Sequence, residues 1–157
     1  MVVTQSSTGE ADFTAFYRAA WPNAVRLAAL LVQDARVAED LAQEAFTRVF
    51  PKWSRVENPE AYLRVAVVNA CRTWQTRRAT ERAKLPLVVG DAFADLAFDT
   101  LADAVAALPY RQRAALVLRY HLGLSEAEIA EALGCRPGTV KSLTSRALAA
   151  LRKGIER

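Results

Sequence analysis

Cysteine and histidine are scarce in this sequence of 157 residues, and their scarcity narrows the chemistry that the chain can carry. Cys71 and Cys135 lie far apart, and neither has a Cys or His neighbour at the spacing of a metal site. We therefore expect two free, packed thiols and no disulfide. The single histidine, His121, has no acidic or thiol neighbour, which favours a helix-end residue over a catalyst. Because a Gly-rich phosphate loop and a nucleophile motif are also lacking, the sequence predicts no enzyme, no cofactor and no metal site.

Long apolar runs are missing as well. The longest, Leu27 to Val32, is far shorter than the ~20 residues that a membrane-spanning helix needs. The N-terminal segment MVVTQSSTGE lacks the basic start and the apolar block of a secretory signal. We therefore expect a cytoplasmic protein with no direct insertion into a membrane.

Glycine and proline are sparse, with 6 of each, and no stretch sustains an alternation of apolar and polar residues. Alanine and leucine abound, which favours helices. The composition, 52% hydrophobic and 24% charged, is that of a globular protein, and the length allows one ordinary domain or two small ones. We predict an all-α fold, with an N-terminal helical bundle at 10–80, a linker at 81–98 and a C-terminal helix-turn-helix domain at 99–157.

Apolar residues recur at helical spacing in the N-terminal part. Phe13 to Ala20 predict a short first helix that Pro22 interrupts, with a second helix opening at the proline. A third helix is predicted at about 36–50 and a fourth at about 60–78, from the same periodicity. The predicted core stripe of the fourth helix is Leu63, Ala66, Val67, Ala70 and Trp74. Its opposite side is predicted to face solvent, with Arg64, Val68, Arg72, Gln75 and Thr76.

Charge is distributed in blocks. Residues 61–84 carry 6 basic and 1 acidic side chains, and residues 109–157 carry 9 basic and 4 acidic ones. Between them, residues 85–108 carry 4 aspartates and no basic residue. Two basic blocks around an acidic spacer indicate two surfaces that meet phosphate, although solvated helix faces would show the same pattern.

The C-terminal part has the spacing of a helix-turn-helix. Two helices precede the motif, one with Leu101, Val105 and Leu108 and one from Pro109 to Tyr120. Ser125 and Glu128 form a capping box that starts the next helix, Gly134 ends it, and Pro137 opens the last helix. The predicted seam of that last helix is Val140, Thr144, Ala147, Leu148 and Leu151. Hydroxyl and cationic side chains on its exposed side suit phosphates and base edges in a major groove, namely Arg136, Thr139, Lys141, Ser142, Ser145 and Arg146.

Three sequence blocks resemble a known family. DLAQEAF at 40–46, YLRVAVVNACRTWQTRR at 62–78 and LSEAEIAEALGCRPGTVKS at 124–142 are similar to the extracytoplasmic-function (ECF) sigma factors of RNA polymerase. The short, alanine-rich chain looks most like the two-domain subgroup common in actinobacteria. The resemblance implies a region 2-like bundle, a region 4-like helix-turn-helix domain, and a factor that directs core RNA polymerase to promoters and helps to melt them.

The resemblance also implies roles for single residues. Asp40, Gln43 and Glu44 would meet the polymerase clamp, while the C-terminal domain would meet the flap. Trp53 and Asn58 would capture an extruded base of the −10 element, although Trp53 could equally be a core aromatic. The backbone of the melting strand would be held by Arg64, Asn69, Arg72, Arg77 and Arg78, of which Asn69 could instead be structural.

Two further expectations follow from the family pattern. Asp91, Asp95 and Asp99 make the linker acidic, which suits a passage through the basic RNA-exit path or a plain spacer. Many relatives carry a long polar or basic residue where this chain has Leu143, so the −35 sequence preference is open, and a weaker apolar contact with thymine methyl groups is one substitute.

Other classes of function stay open at this point. An autonomous helix-turn-helix regulator would bind its operator alone, usually as a symmetric dimer. A protein-only adaptor would bind polymerase or a regulator without reading DNA. An anti-sigma factor is a further possible partner, and we expect a monomer when the chain is free.

Overall fold

The computed structural model describes residues 3–84 and 101–156, and every regular element in those ranges is helical. This confirms the prediction of an all-α fold. The chain divides into two compact units, Met1–Cys71 and Arg72–Arg157. The first contains α1 (Val3–Val32), α2 (Ala35–Val49), a 3-10 helix (Phe50–Arg55) and the start of α3 (Pro59–Ala83). The second contains the end of α3, then α4 (Leu101–Ala106), α5 (Tyr110–Leu116), a π turn (Val117–His121), α6 (Glu126–Leu133) and α7 (Pro137–Ile155).

Helix α1 runs without a break through Pro22, so the prediction of two helices at this point was wrong. A proline inside a helix removes one backbone donor and displaces the carbonyl four residues earlier. Pro22 lies on the exposed side of α1, where water can solvate a carbonyl that has lost its helical partner. The residues that follow on the other side are buried, and their packing keeps the helix continuous: Ala24, Leu27, Ala28 and Leu31.

Helix α2 packs against α1 through a stripe of buried apolar residues on one of its faces. Its first turn is capped by Asp34, whose side chain accepts a hydrogen bond of 2.9 Å from the Arg36 amide. The stripe matches the predicted third helix, and every member is buried: Ala38, Leu41, Ala42, Ala45, Phe46 and Val49. Small residues in this stripe allow the two helices to approach closely. The opposite face of α2 is therefore left to the solvent.

Aromatic rings fill the space between α1 and the 3-10 helix. Phe13 lies edge-on to Phe50 at 4.8 Å and to Trp53 at 5.4 Å between ring centroids. Tyr17 contacts Phe46 at 4.6 Å. Such tilted and edge-to-face pairs contribute about 0.5–1.5 kcal/mol each beyond the area that they bury. The 3-10 helix is thus held to α1 by ring contacts.

Helix α3 begins at an asparagine cap. The Asn58 side-chain oxygen accepts a hydrogen bond of 3.1 Å from the Ala61 amide. The predicted apolar stripe is buried except for Trp74, which is half-buried, but Val68 and Cys71 are buried with it. The placement of Val68 on the solvent side was wrong because the buried face of α3 is wider than a single stripe. The helix continues to Ala83, and most of the predicted linker, 81–98, lies outside the described residues.

A buried arginine joins α4 to α5. Arg113 is 4% exposed, and its Nη1 donates to the carbonyl oxygens of Ala106 at 2.7 Å and Leu108 at 3.1 Å, which lie at the end of α4. Burial lowers the pKa of this guanidinium from its ordinary value, while the nearby Tyr110 acts in the opposite direction. Leu101, the first residue of α4, is 59% exposed, whereas Leu108 is buried.

Helices α6 and α7 form the helix-turn-helix. The predicted capping box is confirmed, since Glu128 N donates to Ser125 Oγ at 3.2 Å and Ser125 N donates to the Glu128 carboxylate at 2.8 Å. Gly134 ends α6 with φ at +64°, a left-handed conformation that glycine adopts at little cost. Helix α7 packs on α4, α5 and α6, which leaves one of its sides free for a ligand.

Candidate nucleic-acid and protein interfaces

The three residues predicted to meet the polymerase clamp all lie on the exposed face of α2. Asp40, Gln43 and Glu44 are exposed, while the other face of the helix is buried. Glu44 pairs with Arg48 at 2.8 Å, both side chains being about half exposed. Gln43 accepts a hydrogen bond of 2.8 Å from the Tyr17 hydroxyl. The structure therefore brings the three together as one polar surface, which we call the α2 face.

An aromatic groove that the sequence did not predict borders the α2 face. Its volume is about 280 Å³. Phe50 is 49% exposed at this groove, an unusual position for a phenylalanine. Gln43 belongs to both surfaces. The lining residues are Phe13, Tyr17, Gln43, Phe46, Thr47 and Phe50.

The two residues predicted for the −10 base pocket have structural contacts of their own. Trp53 is half-buried, and its ring lies 5.1 Å from that of Phe16 as part of the aromatic packing on α1. Asn58 is exposed, and its oxygen is engaged in the cap of α3. Asn58 can still donate a hydrogen bond to a base from its amide nitrogen. Trp53 can contact a base only with the exposed part of its ring.

The predicted phosphate contacts are spread along α3. Arg72 and Arg77 are exposed, whereas Arg64, Asn69 and Arg78 are half-buried. Arg78 lies over the ring of Trp74 at 5.1 Å, a cation–π contact that orients the guanidinium. Beside it, Gln75 has a buried side-chain oxygen with no hydrogen-bond partner among the described residues.

Helix α7 presents most of its predicted DNA-contacting side chains to the solvent. Arg136, Lys141, Ser142, Ser145 and Arg146 are exposed and Thr139 is half-buried. Ser142 donates to the Gly138 carbonyl at 3.3 Å, so its hydroxyl is oriented along the helix. Arg136 is the N-cap residue of α7, and its carbonyl accepts from the Thr139 amide at 2.9 Å. These positions share the exposed side of one helix, as a recognition helix requires.

The burial of Leu143 disfavours a contact with thymine methyl groups, one of the alternatives that the sequence left open. This side chain is 9% exposed and is buried together with Val140 and Ala147 on the inner side of α7. The predicted seam is otherwise kept, because Val140 and Ala147 are buried and the half-buried Leu148 and Leu151 pack against the core cluster of this unit. Thr144 is half-buried. Leu143 is therefore a packing residue that belongs to the same seam.

Two side chains that were not singled out from the sequence lie beside α7. Arg119 and Tyr120 line a groove together with residues of α7, including Lys141 and Ser145. Both follow the buried pair Val117 and Leu118 on the π turn and are exposed. The signal in the sequence was a cation and an aromatic residue directly after an apolar run, close to the capping box.

Neither cysteine belongs to these surfaces. Cys71 is buried on α3, and its burial raises the pKa of the thiol to about 12, with a smaller contribution from the charge of Glu44. A thiol with this pKa stays protonated at neutral pH and is a poor nucleophile. Cys135 is half-buried in the turn between α6 and α7. Both are free, as predicted.

The structure also bears on metals and membranes. Among the residues described, no three His, Cys, Asp or Glu side chains are grouped so that they could hold a metal ion. None of the helices described is both long enough and apolar enough to cross a bilayer.

The sequence matches two family descriptions in succession. Residues 16–81 match sigma-70 region 2, and residues 98–151 match sigma-70, region 4. The chain is 35% identical over 150 residues to the RNA polymerase sigma-E factor of Streptomyces coelicolor, covering 90% of this chain and 85% of that protein. It is also 35% identical over 149 residues to the ECF RNA polymerase sigma factor SigC of Mycobacterium tuberculosis, covering 87% and 80% respectively.

The chain belongs to the ECF sigma factors. It is a transcription initiation factor, and the resemblance of its three sequence blocks is thereby confirmed. The ECF sigma factor also shares its fold with RpoE of Bartonella quintana, which was solved in complex with the anti-sigma factor NepR. That similarity has a TM-score of 0.73 at 24% identity and covers 92% of this chain and 97% of the other.

Proposed function

We propose that this ECF sigma factor docks on core RNA polymerase through the α2 face and holds promoter DNA with α3 and α7. The observation that carries the proposal is that one chain has an exposed acidic face on α2 and exposed cations on two other helices. Exposed carboxylates repel DNA phosphates. The α2 face is therefore complementary to a protein surface that carries basic side chains.

The clamp of the polymerase is the partner that we assign to the α2 face. Asp40 and Glu44 are one helical turn apart, so both carboxylates can meet cations of a single partner helix. The Tyr17 hydroxyl holds the Gln43 amide at 2.8 Å, which lowers the entropy lost when the amide is bound. We assign the flap to the C-terminal unit, following the pattern of the family.

The −10 element is assigned to α3 and the segment before it. Arg64, Asn69, Arg72, Arg77 and Arg78 would hold the strand backbone, with Trp53 and Asn58 at the extruded base. Trapping a base outside the stack makes binding energy available for strand opening. Because Trp53 is half-buried, only part of its ring is open to a base, so we expect a smaller contribution to base binding from Trp53 than from the α3 side chains.

The −35 element is assigned to the exposed side of α7. Thr139, Lys141, Ser142, Ser145 and Arg146 would enter the major groove, with Arg136 on a phosphate. Each cation that neutralises a phosphate releases counterions, so promoter affinity should fall steeply as salt rises. This salt dependence separates the proposal from a protein-only adaptor, which would not show it.

The remaining parts of the proposal concern the setting in which the factor acts. We place it in the cytoplasm, where it works on RNA polymerase, and assign it no chemistry of its own. We propose domains at 10–80 and 99–157 around an acidic linker at 81–98, supported by the two matched ranges. The RpoE–NepR complex supports an anti-sigma factor as a further partner, and we expect a monomer between these encounters.

In vitro transcription with core RNA polymerase on a library of genomic fragments tests the function directly. We expect new, defined start sites that require the purified factor, with a shared motif near −35 and −10. Core enzyme alone is the control. An absence of factor-dependent start sites would contradict the proposal, and tight operator binding by the free factor would favour an autonomous regulator.

A further inference from the structure

An acidic side chain lies among the residues that we propose to contact the −35 element. Glu126, the first residue of α6, lines a groove of about 280 Å³ together with Lys141 and Ser145 of α7. Its carboxylate lies 3.8 Å from Lys141 Nζ, so an ion pair joins the two helices of the helix-turn-helix. Carboxylates repel DNA phosphates. Glu126 therefore needs a role other than a contact to the DNA backbone.

The backbone at Glu126 is held on both sides. Ser125 caps α6 through two hydrogen bonds with Glu128, one in each direction. Before the cap, Leu124 is buried and its backbone nitrogen donates to the Leu118 carbonyl at 3.1 Å. Ile129, one turn into α6, is fully buried. A carboxylate in the first turn of a helix is also stabilised by the positive end of the helix dipole. The Glu126 carboxylate thus projects from a fixed part of the fold.

Lys141 is the more mobile member of the ion pair. Its side chain is 71% exposed, against 38% for that of Glu126. A lysine carries its ammonium group on a flexible stem of four carbons, and the three donors of this group can turn toward different acceptors. A phosphate or a base edge of DNA that binds the Lys141 ammonium must therefore replace the Glu126 carboxylate as its partner.

We propose that Glu126 is a positioning residue that holds Lys141 in the free factor and lowers promoter affinity, because DNA must displace the carboxylate before it binds the lysine. The inference rests on the −35 contact proposed for Lys141, and it adds a residue that contacts no DNA itself but sets the strength of that contact. Exposed ion pairs are weak and are screened by salt. The effect is therefore a few-fold change in affinity that is largest at low ionic strength.

Two other acidic residues of α6 differ from Glu126 in their surroundings. The Glu128 carboxylate accepts a hydrogen bond of 2.8 Å from the Ser125 amide, so it is engaged in the capping box. Glu131 is exposed and does not line the groove. Glu131 therefore provides the same charge on the same helix, outside the groove, and is the matched control position.

The test measures promoter binding by the factor on core RNA polymerase, using fluorescence anisotropy of a labelled promoter fragment across a series of KCl concentrations. The variants are Glu126→Gln, Lys141→Gln and the double variant, which together form a double-mutant cycle. Glu131→Gln is the charge-matched control. Thermal unfolding of each variant checks that the fold is kept, because Glu126→Gln also removes a charge that stabilises the start of α6.

We expect Glu126→Gln to raise promoter affinity about threefold at low salt, and we expect this gain to shrink as the KCl concentration rises. Lys141→Gln should lower the affinity. In the Lys141→Gln background, Glu126→Gln should change the affinity by less than about 1.5-fold, since no lysine is left to release. A purely structural role of Glu126 would lower the unfolding temperature of Glu126→Gln and would not raise its promoter affinity.

Two results would overturn this inference. One is a Glu126→Gln protein that binds the promoter no more tightly than the Glu131→Gln control. The other is an equal gain with and without Lys141, which would mean that the Glu126 charge acts on DNA directly and not through the lysine. If the unchanged factor itself fails to bind promoter DNA on the polymerase, the proposed function fails, which is a separate outcome.

Discussion

Leu143 shows how a single residue can change role between the sequence and the fold. In the sequence it occupies a position of α7 where many relatives are polar, and an apolar contact with DNA was one role left open for it. In the structure it lies in the seam of α7, packed with the other buried residues. Val140, Leu143 and Ala147 lie at i, i+3 and i+7, so the periodicity of α7 already indicates the inner side for Leu143.

The consequence can be tested by Leu143→Ala. We expect a loss of about 2 kcal/mol in the free energy of unfolding, because a nearly buried leucine leaves a cavity that its neighbours fill only in part. Urea unfolding measures this loss. Leu101→Ala is the matched control, since the same atoms are removed from an exposed side chain, and it should change stability by less than about 0.5 kcal/mol. A stable Leu143→Ala protein with an altered −35 preference would show that this leucine does contact DNA.

At the scale of elements, the sequence predicts helix ends and buried stripes well where they depend on residues close together in the chain. The capping box of α6 needs only Ser125 and Glu128, three residues apart, and it forms as predicted. The buried stripe of α2 follows from its periodicity alone. The break predicted at Pro22 was wrong because the prediction left out the stabilisation that α1 gains when its buried side packs on α2. Propensity is a weak term when a long buried face opposes it.

The capping box provides the prediction at this scale. Ser125→Ala should lower the free energy of unfolding by ~1 kcal/mol, because the Glu128 amide loses its acceptor at the start of α6. Thermal unfolding of the full chain is the measurement. Ser145→Ala is the control, being exposed in the middle of α7, where alanine favours the helix at least as well as serine. Equal stability of the two variants would mean that the box does not hold α6.

At the scale of the whole molecule, exposed charges of opposite sign lie on different helices. Carboxylates are exposed on α2, whereas the proposed DNA-facing sides of α3 and α7 carry cations. The two basic blocks, at 61–84 and 109–157, were visible in the sequence. The groove at the π turn was not, since Arg119 and Lys141 are distant in sequence and meet only when α5, α6 and α7 pack together.

The α2 face gives the prediction for the assembly. The double variant Asp40→Asn/Glu44→Gln keeps the shape of both side chains and removes their charges, so affinity for core RNA polymerase should fall about tenfold, or ~1.4 kcal/mol. The loss should shrink as salt rises, because exposed charges are screened. Titration of core enzyme with a labelled factor measures this, and Glu10→Gln/Asp12→Asn on exposed positions of α1 is the charge-matched control. Unchanged affinity of the first pair would remove the α2 face from the docking surface.

The sequence by itself determined the helical fold, the start and end of α6, the buried stripe of α2 and the membership in a sigma factor family. The helices, their ends and the α2 stripe depend on residues within a few positions of one another. Family membership depends on sequence motifs that can be recognised before the chain is folded. The tertiary structure alone decided the continuity of α1 and the meeting of the π turn with α7. Those outcomes depend on packing between residues that are remote in sequence, which no local pattern specifies.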